Sequence, residues 1–142
     1  MQEWFVLFGD GFSMPRPWWY RFLAPGYRHV IAMRGNGVGW STIIIEHVGS
    51  RMIVDVRPDP VDEVVLWYMQ HNRITHALKV RVPNPDDAPP VALLRPPMTC
   101  VEAVKAVLGL SAPRIIFPRQ LAHRLRAMGA WEVPTLSLSD AA

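Results

Sequence analysis

"YRHVIAMRGNGVGWSTIIIEHV", Tyr27 to Val48, holds two runs of strand-forming residues on either side of a glycine-rich connection. β-Branched side chains suit a pleated, half-buried surface, so the unbroken run Thr42, Ile43, Ile44, Ile45 marks a strand. With "GNGVG" as the connection, the segment reads as an antiparallel hairpin. A turn centred on Gly37 and Val38 sets His29 opposite Glu46, and a slip of one residue would send either side chain to the other face. His47 and Asp55 are the rivals of Glu46 for that place.

Outward from the hairpin, "RMIVDVRP" (Arg51 to Pro58) reads as a third antiparallel strand, with "EWFVLFG" (Glu3 to Gly9) and "THALKVRVP" (Thr75 to Pro83) as further strands. "DPVDEVVLWYMQHN" reads as a helix. Asp59 is its expected cap, Pro60 suits the first turn, Asp62 and Glu63 favour the positive end of the dipole, and Val61, Val64, Val65 and Tyr68 share one face. Two stretches read as loop: the aromatic Met14 to Tyr27 and the proline-rich Asn84 to Pro97, the latter with a short strand at "VALL".

The only cysteine follows that loop, in "TCVEAVKAVLGL". Thr99 is the expected N-cap and Glu102 the partner that completes a capping box. Val101, Val104 and Leu108 form the buried stripe, and Gly109 ends the helix. Cys100 is then the first helical residue. A second helix runs from Pro118 to Gly129 with Leu121, Leu125 and Met128 inward, and the tail from Trp131 is expected to add one edge strand.

The chain of 142 residues is half hydrophobic, has six Trp and only 19% charged residues, so it folds and is long enough to bury a core as one domain. That domain spans 1–142, with an aromatic strand and loop at 1–26 and a tail at 130–142. A net charge of +3 comes from scattered residues such as Arg114, Arg119, Arg124 and Arg126 rather than from a basic block, so nucleic acid is not expected as a partner. No run approaches the ~18 apolar residues of a membrane span. The five His, at 29, 47, 71, 76 and 123, lack metal-ligand spacing, and neither a metal nor an organic cofactor is implied.

A lone cysteine in a reducing compartment, with a His available elsewhere in the fold, is a candidate nucleophile. The position matters more than the count, because a helix N-terminus offers a thiolate the positive end of the dipole and free backbone N–H groups. His29, on a strand, is the expected base, and Glu46 the group that fixes its tautomer. The cluster Trp18, Trp19, Tyr20 and Phe22 reads as a core or protein-contact patch, and His71, His76 and His123 as surface residues.

The order "GYRHVIAMR", "GWSTIIIEH", "MTCVEAVKAVLGL" and "FPRQLAHRL" resembles the permuted papain-like cysteine hydrolases of bacteriophage genomes, relatives of the NlpC/P60 peptidases. Ordinary papain-like enzymes place the Cys helix before the His strand, whereas here the His comes first, as in the circularly permuted branch. The likeness covers roughly Tyr27 to Leu125. It implies an α+β fold in which a cysteine-bearing helix packs on an antiparallel sheet, with Cys100 as nucleophile, His29 as base and Glu46 as third residue. It further implies an amidase or peptidase acting on peptide or cell-wall peptide, made in the host cytoplasm. The alternative it leaves open is a virion or tail-adaptor protein that keeps the fold and docks on phage structural proteins. Many members have Pro where this chain has His47, and Thr where it has Phe117.

Overall fold

In the run Trp4 to Phe8 every side chain is buried. Continuous rather than alternating apolar residues belong to a strand covered on both faces. The computed structural model describes residues 1–11, 21–37, 40–48, 51–72, 74–84 and 99–134. Among these, the strands are β1 (Gln2–Gly9), β2 (His29–Gly35), β3 (Thr42–Val48), β4 (Arg51–Arg57), β5 (Ile74–Val82) and β6 (Trp131–Glu132). The helices are α1 (Val61–His71), α2 (Cys100–Val107) and α3 (Pro118–Ala127). The strands form one open antiparallel sheet in the order β4-β3-β2-β1-β5-β6, so the architecture is α+β with β1 inside the sheet rather than at its margin.

Pleating divides the core in two. Trp4, Val6 and Phe8 face α2 and α3, where Val101, Val104 and Leu121 close the layer. Phe5 and Leu7 face the other way, against Val64, Val65 and Tyr68 of α1. At ~1.5–3 kcal/mol for each large apolar side chain fully buried, the three central strands carry most of the hydrophobic stabilisation. β4, at one edge, has neither face covered.

The hairpin forms, but its register differs from expectation by two residues. Ile31, not His29, pairs with Glu46, and Gly35 pairs with Thr42. The Asn36 N–H donates to the Ser41 carbonyl at 2.9 Å, which puts the centre of the hairpin one residue later than a turn on Gly37 and Val38. A shift of two keeps every side chain on its face, because the side-chain period of a strand is two.

Three expectations about helix ends are corrected. The N-cap of α1 is Pro60, with no side-chain cap, and Asp59 instead presents its carbonyl to the Thr42 hydroxyl at 2.8 Å. Half of the capping box on α2 forms: the Thr99 hydroxyl accepts from the Glu102 N–H at 3.2 Å, while the Glu102 carboxylate turns forward to the Lys105 ammonium. Met128 lies beyond the last turn of α3 and is exposed, the buried positions being Pro118, Leu121, Ala122 and Leu125. The expected edge strand in the tail is the short β6, paired with β5. The Trp18, Trp19 and Tyr20 cluster, the "VALL" strand and the tail beyond Pro134 lie outside the described residues.

Candidate active site

His29 opens β2, and three contacts fix where that strand begins. The Gly26 N–H donates to Asp10 Oδ1 at 2.7 Å, the Thr75 hydroxyl donates to the Gly26 carbonyl at 2.7 Å, and the Arg28 guanidinium lies 3.6 Å from the same Asp10 carboxylate. Gly26 has φ +80°, and a Cβ there would stand 3.1 Å from Thr75 Oγ1, so the close approach requires glycine. The chain therefore enters β2 along a fixed path, with His29 paired to Gly9 of β1.

Glu46 and Ile31 are paired directly, which places His29 and Glu46 on one face as diagonal neighbours two residues apart along the strand. Such neighbours are within reach of long side chains. His29 Nε2 and Glu46 Oε1 are 2.8 Å apart, and Glu46 is only 7% exposed. A carboxylate buried to that degree needs a partner, and an imidazole N–H supplies it.

Cys100, at the start of α2, together with Glu46 favours the charged form of the His29 ring. Burial opposes a charge on this ring, yet the hydrogen bonds from Cys100 and Glu46, together with the negative charge of both, outweigh it and raise the His29 pKa from 6.5 to about 9. An imidazolium at neutral pH, flanked by a carboxylate and a thiol, is the electrostatic centre of the site. His47, next along β3, moves the opposite way: burial and then the charge of His29 lower its pKa.

The helix that delivers sulfur is fixed at both ends and in the middle. Thr99 caps it, and loss of such a cap costs ~1 kcal/mol. Lys105, a buried residue of the same helix, spends its three donors on the Ala112 carbonyl at 2.9 Å, the Ile115 carbonyl at 2.8 Å and the Glu102 carboxylate. This lysine clamps the connection to α3 against α2, and sequence reasoning missed it. Its signal was a Lys four residues after Val101, on the face otherwise given to the core.

Of the three expected site residues, His29 and Glu46 are hydrogen-bonded to each other, and Cys100 at the start of α2 raises the pKa of the same imidazole. The rivals of Glu46 are placed elsewhere: Asp55 is engaged with the Arg57 guanidinium at 3.1 Å on β4, and His47 lies on the opposite face of β3 from Glu46. His71 and His123 are exposed as expected. His76 is half-buried and stacks on Tyr27 at 5.0 Å between ring centres. Tyr27 and Cys100 both pack against the core cluster on the α2 side of the sheet.

Among the described residues, no three or more His, Cys, Asp or Glu side chains are grouped to hold a metal ion, and no helix is long and apolar enough to cross a membrane. Comparison with protein families, curated proteins and solved structures gives no match to the chain.

Proposed function

We propose that the chain is a cysteine hydrolase that cleaves an amide bond in a peptide or cell-wall peptide through a covalent acyl-enzyme. The observation that carries this reading is the buried imidazole of His29, hydrogen-bonded to Glu46 and held in its charged form by Glu46 and Cys100 together. A nucleophile, a base and a third group that orients the base form the constellation that acyl transfer requires. The order of strand His and helix Cys, and the segments that resemble permuted papain-like enzymes, support the finer fold assignment and a bacteriophage setting.

In the proposed cycle the Cys100 thiolate attacks the carbonyl carbon, forming a C–S bond as the carbonyl π electrons move to oxygen. The N–H of Cys100, at the first turn where helix N–H groups lack intrahelical partners, contributes to holding that oxyanion. His29 gives its proton to the departing amine as the C–N bond breaks. Water then attacks the thioester, His29 takes up its proton, and collapse of the second tetrahedral intermediate releases the acid and the thiolate. Glu46 keeps the ring in one orientation throughout and stabilises its positive charge whenever it carries the proton.

The reading is tested by iodoacetamide alkylation of the native protein between about pH 5 and 9, followed by mass spectrometry, beside hydrolysis assays on peptides and peptidoglycan fragments. The imidazolium pair predicts rapid labelling at neutral pH that slows in His29→Gln. A thiol that stays inert until the protein unfolds, in a preparation that hydrolyses none of these substrates, contradicts the reading.

A further inference from the structure

The two edges of the sheet are treated differently. Among the described residues, one end of the sheet is β5 with the two-residue β6 paired at its middle, at Leu78 and Lys79. At the other end stands β4, seven residues long and in unbroken register with β3, without Pro, Lys or a bulge. Natural monomers blunt long edges by such devices, because an unpaired row of N–H and C=O groups is a template for another strand. β4 also exposes apolar side chains on both faces: Met52 (41%), Val54 (63%) and Val56 (60%) on the side of α2, and Ile53 (42%) on the side of α1.

The sequence of β4 fits a second copy of itself. Two identical antiparallel strands related by a two-fold axis normal to the sheet must pair residues of the same parity, since the axis keeps each side chain on its face. Centring the axis on Val54 sets Arg51 against Arg57, two like charges. Centring it on Asp55 sets that carboxylate against its own copy, and centring it on Met52 or Val56 overlaps only three residues of each strand. Centring it on Ile53 sets Arg51 against Asp55 twice, Met52 against Val54 twice, and Ile53 against itself. Cross-strand pairs of opposite charge and of apolar side chains are the stabilising kind.

We propose that the chain dimerises through β4 about an axis at Ile53, with Arg51 of each copy paired to Asp55 of the other, so that one antiparallel sheet runs through both protomers. The proposal is independent of the hydrolase reading. The contact is that of one strand edge, small beside the interfaces of obligate dimers, so dissociation falls in the micromolar range. Because the axis preserves faces, both Cys100 helices lie on one side of the joint sheet. Five strand spacings of about 4.8 Å and an offset of four residues along the strands put the two His29 positions roughly 25–30 Å apart.

Sedimentation equilibrium of the full chain across the micromolar range tests this, with circular dichroism to establish that the variants fold. Wild type should sediment as a monomer–dimer equilibrium, Asp55→Arg should weaken association at least tenfold, and Arg51→Asp combined with Asp55→Arg should restore it. Wild type that is monomeric throughout overturns the proposal. So does a dimer indifferent to Asp55→Arg, which would use another surface, or a double variant that fails to recover, which would exclude this register.

Discussion

Cys100→Ser is expected to leave the protein folded and to lower amide hydrolysis by several orders of magnitude, as deletion of a nucleophile generally does. The substitution changes little volume at a half-buried site, so packing against the core on the α2 side of the sheet persists. What it removes is the sulfur nucleophile. Serine does not ionise in the range where thiols do, and His29 then has to act as a base on a hydroxyl rather than receive charge from sulfur. The check is kcat/KM for a peptide or peptidoglycan fragment cleaved by wild type, beside thermal melting of both proteins. Equal turnover by the serine variant and wild type would remove Cys100 from the chemistry.

Folding stability is expected to fall on the alkaline side because of His29. Its folded-state pKa of about 9 lies above the ordinary 6.5, so the folded protein binds this proton more tightly than the unfolded chain does. The resulting stabilisation is complete below about pH 6.5 and is lost as pH rises through about 9. At ~1.4 kcal/mol per pKa unit this amounts to about 3 kcal/mol, a large share of the stability of a domain this size. Urea unfolding at a series of pH values reads it directly, and His29→Gln should flatten the profile over that interval. The same deprotonation removes the acid that protonates the leaving amine, so kcat/KM should decline with an alkaline limb near pH 9. Glu46→Gln, which takes away one of the groups holding the proton, should move that limb to lower pH.

Local chemistry made much of this legible in the sequence. The β-branched run in β3, the Thr99 cap before Cys100 and the glycine at position 109, which has φ +67° and ends α2, each act within a few residues. The hairpin register was less legible, because it depends on where the connection closes, and that is set by the Asn36 to Ser41 bond rather than by glycine content. Glu46 nonetheless stands beside His29, since an error of two residues preserves the face. Long-range placement was beyond reach. The position of β1 between β2 and β5 rests on pairings such as Gln2 with Val82, and only its unbroken apolar run hinted at an interior strand. The approach of Cys100 to His29 depends on α2 packing across β2 and β3, a tertiary fact with no local signature. Lys105 was passed over because a lysine inside an apolar stripe declares its purpose only when the carbonyls of Ala112 and Ile115 are seen to meet it.

The proposed unit of Cys100, His29 and Glu46 is most directly tested by an NMR pH titration of the His29 ring protons in wild type, Cys100→Ala and Glu46→Gln. A coupled unit predicts a midpoint of about 9 in wild type, with a lower midpoint in each variant because each removes one group that holds the imidazolium. A wild-type midpoint at the ordinary 6.5, unchanged by either substitution, would contradict it.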